Sequence, residues 1–527
     1  MQLVKKKLVV VRPKKQRKKT NYQLGRSKGC LSNQALFLFL FAKNKLVNTL
    51  FLRQIDAMKI EQIYTGCIAQ AAYYLESKGE AAIFDPLREV EPYLAKAAAD
   101  NAKITYIFET HFHADFVSGH LDLAQKTGAK IVFGPTANPQ FDALIARDNQ
   151  EFKVGDYTIK LLHTPGHTLE SSCYLLLDEN QKGYGIITGD TLFIGDVGRP
   201  DLAQAMVEDL TQEKLASYLF DSLRNKIMPL ADDLIVFPSH GAGSACGKNM
   251  SKETTDTLGN QKKTNYALRA DMTREEFTAE LLDGLGLPPA YFPQNVLLNS
   301  QGYTSLDTIM KRSMTALSAV HVQEQLQDKT TIVLDVRNEQ EFCASHIPNS
   351  IFIGLQGNFA PWVGALLQNV EQPLILVVTE GKEAEAITRL SRVGFDQVQG
   401  FLKGGIVAWE AAGFATAQIN SISPLEFESE HQSTSVVVDA RKPSEYQAEH
   451  LEGAVNIALD TINTHVKDVP SSDFYLHCAG GYRSVIMASV LKRHGIHHFT
   501  NVEKGMAGIR QTNLPITLFV CPNSGVK

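Results

Sequence analysis

The feature that most constrains this chain is a pair of matching segments in its C-terminal half. Val333-Leu334-Asp335-Val336-Arg337-Asn338-Glu339-Gln340-Glu341-Phe342 returns 104 residues later as Val437-Val438-Asp439-Ala440-Arg441-Lys442-Pro443-Ser444-Glu445-Tyr446. His346-Ile347-Pro348-Asn349-Ser350-Ile351 returns at the same spacing as His450-Leu451-Glu452-Gly453-Ala454-Val455, and Arg392-Val393-Gly394 matches Arg493-His494-Gly495 at a spacing of 101. A repeat of about 100 residues is the size of a small domain, so two copies of one fold are present. Each copy alternates β-rich runs with helical stretches, which favours a parallel sheet.

The region ahead of the repeat has a different pattern. From Met58 to about Asn299, short β-rich runs such as Ala81-Ala82-Ile83-Phe84-Asp85 and Ile104-Thr105-Tyr106-Ile107-Phe108 alternate with helical stretches, and several lead directly into His or Asp. That predicts an α/β or layered αββα unit with its chemistry at strand ends. The turn-rich stretch Gly284-Leu285-Gly286-Leu287-Pro288-Pro289 through Gln301-Gly302 is expected to close it. The expected division is thus an αββα unit over 58–300, a linker over 301–315, and repeat domains over 316–417 and 420–520.

Residues 1–57 carry 14 of the 52 Lys+Arg but only one acidic residue, Asp56. Met58 leads straight into the strand-like Lys59-Ile60-Glu61-Gln62-Ile63-Tyr64. The basic segment is therefore expected to be disordered or to lie upstream of the true start at Met58. The rest of the chain is acidic, which argues against a nucleic-acid partner. No run of about eighteen apolar residues suggests a membrane span. Seven cysteines, scattered without C-x-x-C spacing, do not read as a disulfide framework, and a reducing cytoplasm is expected.

Cys478-Ala479-Gly480-Gly481-Tyr482-Arg483-Ser484 lies between the strand ending Tyr475-Leu476-His477 and a helical stretch from Val485. Strand, glycine-bearing loop and helix start make a nest of backbone N–H groups. The nest and the cation of Arg483 favour a thiolate that takes up a sulfane sulfur as Cys-S-S⁻. With the Asp439-Ala440-Arg441 and His450-Leu451-Glu452-Gly453-Ala454 segments, this run resembles the rhodanese family over nearly all of 420–520. In that family a six-residue loop from Cys to Arg serves sulfur transfer, and Cys478 to Arg483 is six residues. The corresponding stretch of the first copy, Leu374 to Glu383, has no cysteine, so residues 316–417 are expected to be an inactive homologue that packs or positions its neighbours. Cys343 lies away from that loop and reads as a core residue.

The segment Thr110-His111-Phe112-His113-Ala114-Asp115-Phe116-Val117-Ser118-Gly119-His120 follows a strand, and later strand ends supply His167, Asp190 and His240. Imidazoles and carboxylates converging from separate strand ends make an open metal site. The series resembles the metallo-β-lactamase superfamily over about 58–300, which includes two-zinc hydrolases such as glyoxalase II and one-iron persulfide dioxygenases. The hydrolase pattern would place histidine where this chain has Phe116, which weakens a second metal position. Carried over residue by residue, the dioxygenase pattern puts a single Fe(II) on His111, His167 and Asp190, with His113, Asp115 and His240 nearby. Arg199, in Gly195-Asp196-Val197-Gly198-Arg199-Pro200-Asp201, is expected either to anchor an anionic part of the substrate or to form a surface ion pair. Cys246, six residues beyond His240, is either a persulfide acceptor near the metal or a packed thiol.

Together the three units resemble a persulfide dioxygenase-rhodanese fusion with two rhodanese repeats. The resemblance implies that O2 converts a low-molecular-weight thiol persulfide to sulfite, and that Cys478 passes sulfane sulfur to sulfite, making thiosulfate. It also favours a dimer or tetramer. Two alternatives stay open: a zinc-dependent thioester hydrolase of glyoxalase II type with accessory sulfurtransferase domains, and a non-catalytic sulfur carrier or sensor.

Overall fold

The computed structural model describes residues 58–201, 210–286, 288–367 and 369–518. The basic segment 1–57, with Cys30, and the terminal Cys521 lie outside the described residues.

Two six-stranded sheets build the first unit. One runs in the order β1 (Lys59–Thr65), β2 (Gln70–Ser77), β3 (Glu80–Phe84), β4 (Lys103–Phe108), β5 (Lys130–Phe133), β6 (Leu144–Ile145). The other contains β7 (Glu151–Val154), β8 (Tyr157–His163), β9 (Ser172–Leu177), β10 (Gly183–Gly189), β11 (Ile235–Pro238) and β12 (Asp256–Thr257), in the reverse order from β12 to β7. Alternation within β2, β3, β4, β7, β8 and β9 sends Tyr73, Phe84, Phe108, Phe152, Ile159, Leu161, Tyr174 and Leu176 into the layer between the sheets. Helices cover the outer faces, giving the αββα arrangement. β8 and β10 are both antiparallel to β9, and β11 is parallel to β10, so the C-terminal ends of β8, β10 and β11 come out at one edge.

The repeat is plain in the topology. The third sheet, β13 (Ala316–Leu317), β17 (Val398–Leu402), β16 (Leu374–Val377), β14 (Ile332–Asp335), β15 (Ile351–Phe352), is all parallel. The fourth has the same order and direction: β18 (Ser421–Ile422), β23 (Phe499–Val502), β22 (Phe474–His477), β19 (Val437–Asp439), β21 (Val455–Asn456). A short antiparallel pair, β20 (Glu449–Leu451) with β24 (Ile516–Leu518), stands apart. The Asp-x-Arg signature explains itself in both copies. Arg337 folds back onto Asp335 and caps the Ser345 carbonyl, and Arg441 does the same with Asp439 and Glu449. The repeated histidines are structural too: His346 and His450 stack on Phe342 and Tyr446, with ring centroids 4.0 and 3.9 Å apart.

The junction differs from expectation. The stretch closing the first unit holds a helix, Phe292–Gln301, and the expected linker holds another, Leu306–Ser313. The first has a proline in its opening turn, where a missing N–H costs nothing; the second is capped by the Ser305 side chain. Both helices are ordered by what they bury. A continuous hydrophobic cluster runs from Leu87 and Phe116 through Tyr291 and Phe292 to Phe359 and Leu390, and on to Ile486 in the second copy.

Candidate metal centre and sulfur-transfer loop

The loop after β4 and the loops after β8, β10 and β11 bring His111, His167, Asp190 and His240 together. All are at least nine-tenths buried. Asp190 Oδ2 lies 3.4 Å from His167 Nε2 and 3.9 Å from His111 Nε2, while its Oδ1 lies 3.6 Å from His240 Nε2. Asp115 Oδ2 is 3.5 Å from His240 Nε2, and Cys246 completes that second group. Two sets of donors, His111/His167/Asp190 and Asp115/His240/Cys246, each have their donor atoms within 4.8 Å of one another.

The far side of each imidazole is already engaged. His167 Nδ1 lies 2.8 Å from the Arg199 carbonyl and His240 Nδ1 lies 3.2 Å from the Ala69 carbonyl, so each Nδ1 carries the proton. His111 Nδ1 meets Thr110 Oγ1 at 2.9 Å, and that hydroxyl gives its own proton to Asp85 Oδ2. The three Nε2 atoms are thereby turned inward, where a metal would meet them. Among the described residues His167 Nε2, His240 Nε2 and both carboxylate oxygens of Asp190 and Asp115 have no hydrogen-bond partner. Buried polar atoms left unpaired are costly, and several converging at one point fit a cation.

Electrostatics separates the histidines. Burial, reinforced by the neighbouring His113 and His167, holds His111 well below the usual range, so it is neutral and able to ligate. His240 is the opposite: burial opposes its charge, but Asp115 and then Asp190 lift it well above. His113 sits with its ring 4.2 Å from His111 but presents its Nε2 to Asp85 at 3.1 Å and to Glu109 at 3.4 Å. Burial again opposes the charge, yet Asp85 and Glu109 raise His113 to about 10, and Phe116 covers its ring at 4.3 Å. His113, Asp85 and Glu109 make a third candidate donor set, their donor atoms also within 4.8 Å of one another. Burial, with Asp115 and Asp190 behind it, pushes the Cys246 thiol up to about 12.

Arg199 is not at the surface. Its guanidinium holds Asp201 through two hydrogen bonds of 2.6 Å and reaches the carbonyls of Gly286 and Ala245, while its own carbonyl orients His167. Asp85, Glu109 and Thr110 escaped the sequence reading, although Asp85 carried a signal as an acid directly ending a strand.

In the second copy, β22 delivers Cys478 and helix Tyr482–Arg493 begins four residues later. Gly481, at φ 105°, points its N–H at Cys478 Sγ, 3.2 Å away, and Ser484 Oγ donates to the Gly481 carbonyl. Gly505 must be glycine, because a Cβ there would lie 2.2 Å from the Cys478 carbonyl oxygen. Two members of the loop behave otherwise than expected. Arg483 is bound to Glu445 by two hydrogen bonds of 2.6 and 2.8 Å, so its charge is offset. Tyr482 turns out of the cradle, packs on Phe352 and donates to the Gly354 carbonyl of the first copy. Ala479 and Gly480 are left to line the opening, since Gly480 is exposed with nothing within 4 Å of an added Cβ. The loop of the first copy, Thr379 to Lys382, faces a cavity of about 660 Å³ that also touches Cys67 of the first unit.

Residues 65–240 match the metallo-beta-lactamase superfamily, and residues 318–412 and 423–512 each match the rhodanese-like domain. A hydroxyacylglutathione hydrolase from Rhizobium etli is 35% identical over 156 residues, 29% of this chain and 54% of that protein. The chain thus spans about half the length of the curated relatives it matches. A solved metallo-beta-lactamase from Staphylococcus aureus subsp. aureus COL is 32% identical, with 66% of this chain covering 99% of that one at a TM-score of 0.59. The solved ETHE1 from Myxococcus xanthus is 27% identical, covering 46% of this chain and 98% of its own, with a TM-score of 0.39.

Proposed function

Since the chain belongs to the metallo-beta-lactamase superfamily, with two rhodanese-like domains following that fold, we propose that it oxidises a low-molecular-weight thiol persulfide with O2 to sulfite and joins that sulfite to sulfane sulfur carried on Cys478. The observation that carries the first half is the position of His113. Its Nε2 faces Asp85 and Glu109 rather than the other imidazoles, so His111, His167 and Asp190 group by themselves as a two-histidine, one-carboxylate set. Such a set suits a single iron(II) with open positions, which when bound supplies O2 activation and a seat for a persulfide sulfur. The net change balances as RSSH + O2 + H2O → RSH + SO3²⁻ + 2H⁺.

The chain's own residues do the rest. Thr110 and the Arg199 and Ala69 carbonyls fix the three imidazoles, so no rotation is needed when substrate arrives. Burial of every ligand side chain holds the set in a fixed, low-mobility position. At the second site the Cys478 thiolate attacks the outer sulfur of a persulfide RSSH, the S–S bond breaks, the proton passes to the departing thiolate to give RSH, and Cys-S-S⁻ is left. The Gly481 N–H stabilises the sulfur bonded to the protein. Sulfite then attacks the outer sulfur, giving thiosulfate and restoring the thiolate. Having both sites on one chain raises the local concentration of the intermediate.

Anaerobic purification with metal analysis, followed by oxygen-electrode assays on several thiol persulfides, tests the reading: iron and oxygen uptake support it. A zinc thioester hydrolase is the second reading, favoured by the Asp115/His240/Cys246 group, whose His240 lies 3.6 Å from Asp190 of the first set. Bound zinc with thioester cleavage and no oxygen uptake would establish that reading and defeat the first.

A further inference from the structure

The first rhodanese-like copy has no thiol in its loop, yet it and the helix ahead of it both bond the backbone between His113 and Ser118. Asn299, on helix Phe292–Gln301, donates from Nδ2 to the His113 carbonyl at 2.7 Å and to the Phe116 carbonyl at 2.8 Å. Its Oδ1 accepts from the Ser118 N–H at 2.8 Å. One step along, the Val117 N–H donates to the Arg392 carbonyl at 2.7 Å, at the end of helix Glu383–Ser391 in the rhodanese-like copy. Asp115 lies inside the stretch these four bonds hold.

The two supports are pressed together. Gly394, at φ 82°, abuts helix Phe292–Gln301 so closely that an added Cβ would lie 2.8 Å from Asn295 Oδ1 and 2.9 Å from Leu298. The Arg392 side chain grips Glu89, and Arg88 pairs with Asp396, tying the same corner to the segment that begins at Asp85. A buried loop without ladder partners must find its hydrogen bonds elsewhere. A carboxamide, with two donors and an acceptor, satisfies three backbone groups at once.

We propose that the inactive rhodanese-like domain, acting through helix Phe292–Gln301, is the clamp that sets the backbone of loop 113–118, and that Asn299 is a positioning residue for the metal centre. This gives the domain without a cysteine a task in the chemistry of its neighbour. The inference rests on His111, His167 and Asp190 as the ligand set, but not on which metal or reaction they serve.

Cobalt(II), added to the full chain after metal removal, is the probe, with affinity measured against a competing chelator and coordination read from the visible bands. Two variants bear on the clamp: Asn299→Leu, which removes three of the four bonds, and Gly394→Ala, which wedges the helix from the rhodanese side and touches no ligand. Each is expected to weaken cobalt binding about ten- to a hundredfold. Each should also shift the bands and speed amide exchange at Val117 and Ser118 at temperatures where the chain stays cooperatively folded, although the midpoint falls because buried backbone groups lose partners. Wild-type affinity, bands and exchange in both variants refute the clamp. So does loss of cobalt only in step with a collapse of the melting transition, because that marks general unfolding. A wild-type chain that takes up no cobalt overturns the ligand set and the clamp with it, and is distinguishable from either.

Discussion

Replacing Asp396 with alanine is expected to strip one charge from a buried pair that ties the metallo-beta-lactamase-like unit to the first rhodanese-like domain. Arg88 is fully buried and Asp396 retains 12% of its side-chain exposure. The guanidinium donates to Asp396 at 2.9 and 2.8 Å, to the Ser391 carbonyl at 2.8 Å and to the Thr304 carbonyl at 2.7 Å, and lies 4.7 Å from the centre of the Tyr303 ring. Burial pushes the Asp396 carboxyl above its usual range even with Arg88 beside it, so desolvation outweighs the attraction. The pair by itself is not a strong stabiliser; a stranded guanidinium is what costs. Asp396→Ala should therefore lose about 3–5 kcal/mol, whereas Arg88→Met with Asp396→Leu should be close to neutral. Both tryptophans, Trp362 and Trp409, lie in the first rhodanese-like domain, so urea unfolding followed by their fluorescence reports on the affected part. A single variant within about 1 kcal/mol of wild type, or a double variant as costly as the single, would refute the reasoning.

Cys478→Ser is expected to leave oxygen uptake intact while sulfite accumulates in place of thiosulfate, as ion chromatography of the products would register; unchanged thiosulfate would remove Cys478 from the scheme. Glu445→Gln frees the Arg483 guanidinium to face the cradle, and iodoacetamide should then alkylate Cys478 several-fold faster at neutral pH. Arg483, working against burial, holds the Glu445 carboxyl below its ordinary value, so that pair's stabilisation is present above about pH 4.3 and fades as pH falls through the lowered value. Acid titration should accordingly show a flatter stability loss in Glu445→Gln than in wild type. Gly505→Ala, which forces a methyl to within 2.2 Å of the Cys478 carbonyl oxygen at a residue with φ 48°, should cost about 1–3 kcal/mol and slow sulfur transfer, measured by denaturation and by thiosulfate formation.

The repeat, the strand-end histidines and the cysteine loop were legible because each is a local pattern: residue type at a fixed spacing from a strand. The duplicated Asp-x-Arg and the Gly480-Gly481 pair announce their own local geometry. The junction was not legible in the same way. Turn-forming residues from Gly284 to Pro289 masked the helix that follows, whose formation depends on the surfaces Tyr291 and Phe292 bury rather than on its own weak amphipathicity.

The unoccupied roles were assigned only in three dimensions. Sequence order cannot tell whether His113 faces a metal or a carboxylate, because the answer lies with how its loop folds back on Glu109 and with Asp85 beyond the neighbouring strand. Nor can it tell that Arg199 and Arg483 are spent on Asp201 and Glu445, or that Tyr482 and Asn299 reach across domains. The amino-acid sequence alone determined the three folds and the strand-loop-helix setting of Cys478, since strand and loop signatures act over a few residues. Which imidazole is charged, which arginine is free and what holds the metal loop were decided by tertiary structure, because burial and long-range pairing set the charge and the partners of a buried side chain.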